Sequence, residues 1–309
     1  MDKQIELLID NISSVIIGKQ QAIINVIAAM LSEGHILIED VPGVGKTRLI
    51  SSLASSVDGK FNRIQLTPDI MPSDIVGFSM INPQTRALEY KSGAAMCNFL
   101  LADEINRASP KSQSSLLEVM EERQISLDGK TMPLPLPFMV LATQNPVETY
   151  GTYHLPEAQM DRFIMKISMG YPSVEDELNI ITQSETKTFA QKPKAVMTTE
   201  DVKNHIEKVK QVTCRDNVKM YIVDLLNATR SSQLVKLGAS PRAGIALLRA
   251  SKAIAYINGR DYVTPDDVKT MTLPVLSHRL MLSPKGKSAY PSSEAVMSEI
   301  ASTVSVPLK

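Results

Sequence analysis

The sequence predicts an α/β protein in which a five-stranded parallel sheet lies between helical layers and a smaller all-helical domain follows. Two observations carry this. Five short strand candidates, most of them apolar or β-branched, at 35–39, 61–66, 98–102, 138–143 and 163–168, alternate with helical patterns through the first 170 residues. From about residue 174 onward helical patterns follow one another with no such candidates between them. A chain of 309 residues is long enough for both units.

The first helices are expected over 2–10, with Ile5, Leu8 and Ile9 on one face, and over 19–33, with Ile23, Ile24 and Ile27. Each strand candidate is short, and most are apolar or β-branched, as strands covered on both faces are. Helical patterns at 46–57 and 110–122 between them favour a parallel sheet with helices on both sides. Two segments interrupt the rhythm. Residues 70–96, with Pro72, Gly77, Pro83 and Gly93, are too irregular for one helix. Residues 122–137 place Ile125 and Leu127 before Asp128-Gly129 and Met132 and Leu134 after it, which reads as a β-hairpin. Later helices are expected at 174–186, 200–213, 216–231, 241–258 and 265–276. The last opens on Thr264 as cap, Pro265 at the first helical position and two acids in the first turn. Residues 284–292, rich in Pro, Gly and Ser, are expected to form a loop before a short final helix. The domain boundary falls near residue 171, giving units of 1–171 and 172–309.

Composition narrows the classes. Lys and Arg equal Asp and Glu at 33 each, and Trp is absent, so neither a basic nucleic-acid surface nor a base-stacking platform is favoured. The first 170 residues carry 14 basic and 19 acidic side chains and the rest the reverse imbalance. That leaves two readings open: scatter, or an acidic half of one copy facing the basic half of another in a ring. Cys97 and Cys214 have no metal spacing and suit a reducing cytosol. The N-terminus lacks an apolar signal region, and the apolar stretch near Ile23–Leu31 is too short for a bilayer, so a cytoplasmic location without a membrane segment is expected.

The chemistry concentrates in a few places. Residues 40–47, Asp-Val-Pro-Gly-Val-Gly-Lys-Thr, follow an apolar strand and open a helix, as a phosphate-binding loop does. Gly43 and Gly45 let backbone N–H groups approach an anion, Lys46 offers a cation to β- and γ-phosphates, and the Thr47 hydroxyl suits Mg²⁺. Asp40 stands where the usual pattern G-x-x-x-x-G-K-[ST] has its first glycine. Asp103 and Glu104 end the 98–102 strand, suited to holding Mg²⁺ through water and to activating water as a general base. Asn145, before Pro146, ends another strand and reads either as an amide facing the reaction or as a turn start. Arg162 and Arg242 are suited to developing phosphoryl charge or to surface ion pairs.

Together these residues resemble the AAA+ ATPases and, more narrowly, the MoxR family. The resemblance rests on LADEINRASPKSQSSLLEVMEERQISLDG at 101–129, ATQNP at 142–146 and LPEAQMDRF at 155–163. It covers nearly the whole chain and implies an AAA+ phosphate-loop core with a helical lid. It also implies a ring, expected to be hexameric, that hydrolyses ATP with Mg²⁺ held by Thr47 and Asp103. In this view Val41, Pro42, Gly43, Val44, Gly45, Lys46, Thr47 and Arg48 form the Walker A loop, and Asp103 and Glu104 the Walker B pair. Asn145 matches sensor 1, Arg242 matches sensor 2 reaching the nucleotide from the lid, and Arg162 matches the arginine finger acting on a neighbour's ATP. Arg107 faces the interface, and Gly18-Lys19-Gln20 lies against the adenine. Residues 70–96 match the helix-2 insert and 122–137 the pre-sensor-1 hairpin.

The implied role is chaperone-like remodelling or activation of partner proteins, often ones with a von Willebrand factor A-type domain. Two alternatives stand beside it. A nucleic-acid motor would share both inserts, but beyond Arg123 the hairpin carries a single cation, Lys130. A nucleotide-dependent scaffold with little turnover would not need Glu104 and Arg162. Tyr150, Tyr153 and His154, ahead of Arg162, are read as a packed or interface loop rather than a metal site.

Overall fold

A computed structural model describes residues 2–41, 43–145, 153, 155–184 and 193–307. Helices α1 (Lys3–Ser13) and α2 (Gln20–Leu31) precede strand β1 (Ile36–Glu39) and helix α3 (Lys46–Ser56). Strand β2 (Phe61–Gln65), helix α4 (Pro72–Val76) and strands β3 (Gly77–Ile81) and β4 (Leu88–Ser92) come next. Then come β5 (Phe99–Asp103), α5 (Pro110–Glu122), β6 (Gln124–Leu127), β7 (Lys130–Pro133), β8 (Met139–Gln144), α6 (Glu157–Met160) and β9 (Met165–Ile167).

Five strands form one sheet in the order β2-β5-β8-β1-β9, every neighbouring pair parallel. All five correspond to the strands expected from the sequence. Alternation along each strand divides the core in two. Ile36, Ile38, Phe99, Leu101, Met139 and Leu141 face a layer built from α1, α2 and α3. Leu37, Leu100, Ala102, Val140 and Ala142 face α5 and the β6–β7 hairpin. This is the period-two consequence of a sheet covered on both sides. His35, fully buried just ahead of β1, accepts the Val140 N–H at Nδ1 (3.0 Å) and so donates from Nε2 to the Met120 carbonyl (2.9 Å). Burial holds its pKa down at about 4, so the ring is neutral.

Both interruptions are ordered. Residues 70–96 contain α4 and the antiparallel β3–β4 pair, whose Phe78, Met80, Ile81 and Leu88 are exposed. The β6–β7 hairpin turns at Asp128 and Gly129, both with positive φ (50° and 74°), as tight hairpin turns require.

The C-terminal part holds α7 (Val174–Ser184), α8 (Thr199–Gln211), α9 (Asp216–Ser231), α10 (Pro241–Ile257), α11 (Pro265–Leu276), α12 (Pro284–Ala289) and α13 (Ser293–Thr303). Thr264 caps α11 as expected, in a reciprocal pair with Asp267. Two expectations are corrected. The unit is not wholly helical, because β10 (Val235–Leu237) pairs antiparallel with β11 (Met281–Leu282). The loop expected at 284–292 contains α12, capped by Ser283 with Pro284 in its first turn.

Candidate active site

Three adjacent strands, β5, β8 and β1, end at the same edge of the sheet because all run parallel. Strands stand about 4.8 Å apart, so the loop leaving β1 and the acidic end of β5 face each other across roughly 10 Å. Between them lies a cavity of about 360 Å³. Gly43, Gly45, Lys46, Thr47 and Arg48 line one side, Asp103, Glu104, Thr143 and Asn145 the other, with Arg63 and Gln65 from β2. Ligands of open parallel sheets bind at this carboxyl edge.

The loop is shaped for an anion. Gly43 and Gly45 have φ of +88° and +93°, and a Cβ on either would meet no atom within 4 Å, so the space above them is open to a ligand. The N-terminus of the 11-residue α3 opens directly after Gly45, adding helix dipole and free N–H groups. Lys46 Nζ donates to the Asp40 carbonyl at 2.9 Å, which keeps the ammonium over the loop. Asp40 itself is buried. Its carboxylate accepts from Ser168 Oγ (3.0 Å), the Met169 N–H and the Gly170 N–H (3.3 Å), so it fastens the loop to the segment leaving β9.

Opposite, Asp103 is buried, accepting from Thr143 Oγ1 at 3.2 Å and Arg63 Nε at 2.7 Å. Glu104 occupies the left-handed region at φ 58°, ψ 52°, a conformation costing a non-glycine residue about 1–2 kcal/mol. Its N–H donates to Thr143 Oγ1 at 2.9 Å, which holds the turn and directs the side chain over the cavity. Glu104 Oε2 accepts from Gln65 Nε2 (2.7 Å) and Arg107 Nη1 (2.9 Å). Neither Gln65 nor Arg63 stands out in the sequence; a polar residue ending the strand beside the acidic one is the available signal. The Thr47 hydroxyl and Asp103 carboxylate are hard oxygen donors facing one cavity, a set that fits Mg²⁺.

Arg162 and Arg242 are not in this cavity. Arg162 precedes β9 and therefore lies at the opposite, amino-terminal edge of the sheet. Strands of three to six residues at about 3.3 Å per residue put roughly 10–20 Å between the edges. There a second cavity of about 300 Å³ is lined by His35, Glu121, Arg162, Arg242, Arg249 and Arg279, among others. Both arginines pair with Glu121. Arg242, expected to reach a nucleotide from the lid, does not line this cavity; α10 brings it beside Arg162.

Gly18, Lys19 and Val41 do not line the first cavity either. Gly18 has φ +70° and sits against Asp176, and Lys19 Nζ donates to the Tyr171 carbonyl at 2.7 Å, so this turn packs on the start of α7. Val44 packs against the core. Tyr153 is exposed, with its carbonyl accepting from Gln113 Nε2. Pro42, Pro146, Tyr150 and His154 lie outside the described residues. Among the described residues no cluster of three or more His, Cys, Asp or Glu could hold a metal.

A phosphate loop on this sheet order, with acids two strands away and a helical unit following, defines an AAA-class ATPase. Comparison with known proteins agrees: residues 35–165 match the ATPase family associated with various cellular activities (AAA), and residues 227–300 match the AAA lid domain. The chain is 47% identical over 301 residues to the uncharacterized protein YeaC of Bacillus subtilis, covering 97% of this chain and 94% of that one. It is 40% identical over 312 residues to Chaperone MoxR1 of Mycobacterium tuberculosis, covering 98% and 82%. A crystal structure of a candidate ATPase from Cytophaga hutchinsonii superposes with a TM-score of 0.92 at 38% identity, covering 99% and 96%. The chain belongs to the MoxR family of AAA+ ATPases.

Proposed function

We propose that this ATPase is Mg²⁺-dependent and that each catalytic site is completed by a second copy of the chain, in a closed ring that the family resemblance makes hexameric. One observation carries this reading. Lys46, Thr47, Asp103 and Glu104 line a cavity at one edge of the sheet, while Arg162 and Arg242 stand together at the other. Within one chain the arginines have no route to that cavity; between copies stacked edge to edge they do.

In this reading the loop N–H groups and Lys46 hold the phosphates, and Asn145 orients the attacking water. Mg²⁺, when bound by Thr47 and Asp103, neutralises phosphate charge. Glu104 takes the proton from water as general base. Its carboxylate is engaged by Gln65 and Arg107, so hydrolysis requires that grip to loosen. Arg162 and Arg242 of the adjacent copy then meet the charge that develops on the γ-phosphoryl group. In related phosphate-loop enzymes a finger of this kind is worth roughly 10³–10⁵ in turnover.

The division into a core of about 1–171 and a lid of about 172–309 belongs to the same reading, with Gly170 (φ +61°) at the joint. The name of the Mycobacterium tuberculosis relative supports a chaperone-like role, remodelling or activating partner proteins. The exposed Phe78, Met80, Ile81 and Leu88 of the β3–β4 insert offer an apolar contact surface for such a client. Proteins with a von Willebrand factor A-type domain are the clients we propose, in the cytoplasm; no helix among the described residues is long and apolar enough to cross a membrane. Turnover per subunit, measured across a dilution series with the assembly state followed by sedimentation, tests the shared site. Turnover should vanish as rings dissociate, and a verified monomer as active as the assembly would overturn the reading.

A further inference from the structure

Arg279 ends a short 3-10 turn, Ser277–Arg279, directly after α11, and its side chain is only 3% exposed. All but one of its hydrogen bonds go to the core segment that carries Arg162. Nε donates to Asp161 Oδ1 at 2.6 Å. Nη2 donates to the carbonyls of Asp161 (3.2 Å) and Phe163 (2.7 Å), and Nη1 to that of Ile164 (3.1 Å). The remaining bond, from Nη1 to the Val275 carbonyl, ties the guanidinium to its own helix. Next to it, His278 Nε2 donates to the Phe163 carbonyl at 3.1 Å. The acceptors therefore flank Arg162 on both sides.

The same carboxylate reaches the second arginine. Asp161 Oδ2 accepts from Ser240 Oγ at 3.3 Å, and Ser240 is the N-cap of α10, two residues before Arg242. A buried guanidinium is costly to desolvate, and a hydrophobic side chain would serve a plain core contact as well or better. What the planar fork adds is geometry: several donors in fixed directions, which one ammonium cannot reproduce. Here they define the backbone on either side of Arg162 relative to α11, while Asp161 sets its distance from the start of α10.

We infer that Arg279 is a positioning residue which joins Arg162 and Arg242 into one rigid unit carried by the C-terminal helices. The placement of those helices in one copy then sets how well that copy serves the site of its neighbour. The inference rests on the reading that Arg162 acts across the interface.

Arg279→Lys keeps the buried charge and loses the fork. It should lower kcat at least about tenfold, because small misplacements at a distance can cost up to about 10² in rate, and leave the KM for ATP within about twofold. The discriminating experiment mixes subunits. Arg279→Lys mixed with Glu104→Gln should regain activity, because Glu104→Gln copies supply well-placed arginines to intact sites. Arg279→Lys mixed with Arg162→Ala should not, because neither copy supplies one. The reverse pattern, or activity regained in neither mixture, overturns the inference, provided that Arg162→Ala mixed with Glu104→Gln regains activity. If that control mixture stays inactive, the interface reading fails and this inference with it. Should Arg279→Lys fail to fold, Asp161→Asn, which leaves the four carbonyl bonds of Arg279 in place, takes its part in the same mixtures.

Discussion

Arg162 and Arg242 bind the two oxygens of one carboxylate, that of Glu121, each at 3.1 Å. One residue comes from the segment before the last core strand and the other from the first turn of α10, so a single acid at the end of α5 gathers two cations from separate parts of the chain. A carboxylate gripped this way occupies the arginines as a phosphate would. For the pair to serve a neighbouring copy, Glu121 must release them. Both pairs are partly exposed, so each contributes at most about 1 kcal/mol to stability. Glu121→Ala should therefore melt close to the wild-type temperature, and its turnover should reach half its maximum at a lower protein concentration. A rise in that concentration would show that Glu121 holds the arginines ready rather than competing for them.

Asp40 gives a second prediction. Its carboxylate accepts from Ser168, Met169 and Gly170, so replacing it leaves the buried Met169 N–H and the donors of Ser168 and Gly170 without this acceptor. Each unsatisfied buried donor costs about 1–3 kcal/mol. Asp40→Gly restores the usual loop pattern and should nonetheless lower the melting temperature and weaken nucleotide binding. Calorimetry on the variant with and without ATP checks this; an unchanged melt would mean that the anchor is not needed.

The buried His35 predicts an acid response. Burial holds its pKa at about 4 against 6.5 for an exposed ring. Above 6.5 both folded and unfolded chains carry it neutral. As pH falls from 6.5 towards 4 the unfolded chain takes up a proton that the folded chain refuses, so stability is lost across that window. The loss approaches about 3 kcal/mol when complete. Denaturant melts of wild type and His35→Asn at pH 7 and pH 5 should show the smaller change in the variant. Equal changes would assign the acid response to other groups.

Much of this architecture is written in local patterns. Four of the five core strands are short, mainly apolar runs, β2 (FNRIQ) being the polar exception, and Thr264-Pro265 announces α11 by its capping chemistry. Other features depend on contacts that spacing does not encode. Pro284 and Gly286 read as loop residues, yet Pro284 suits a first helical turn, and Gly286 is needed because a Cβ there would meet the Leu234 carbonyl at 2.2 Å. The β10–β11 ribbon joins three residues to two across more than forty positions, too little pattern to notice. The motif around Arg242 indicates a phosphate-directed arginine but not which edge of the sheet it occupies. That depends on how α10 packs. Gln65 and Arg63 likewise acquire meaning only once β2 is seen beside β5.

The central claim is that one copy supplies arginines to the site of another. Its most direct test mixes Arg162→Ala with Glu104→Gln, each expected to bind ATP and, alone, to hydrolyse almost none. In mixed assemblies an intact Glu104 site beside an intact Arg162 is formed, and turnover should return to a substantial fraction of the wild-type rate. Mixtures as inactive as the separate variants, with assembly confirmed, would contradict the account.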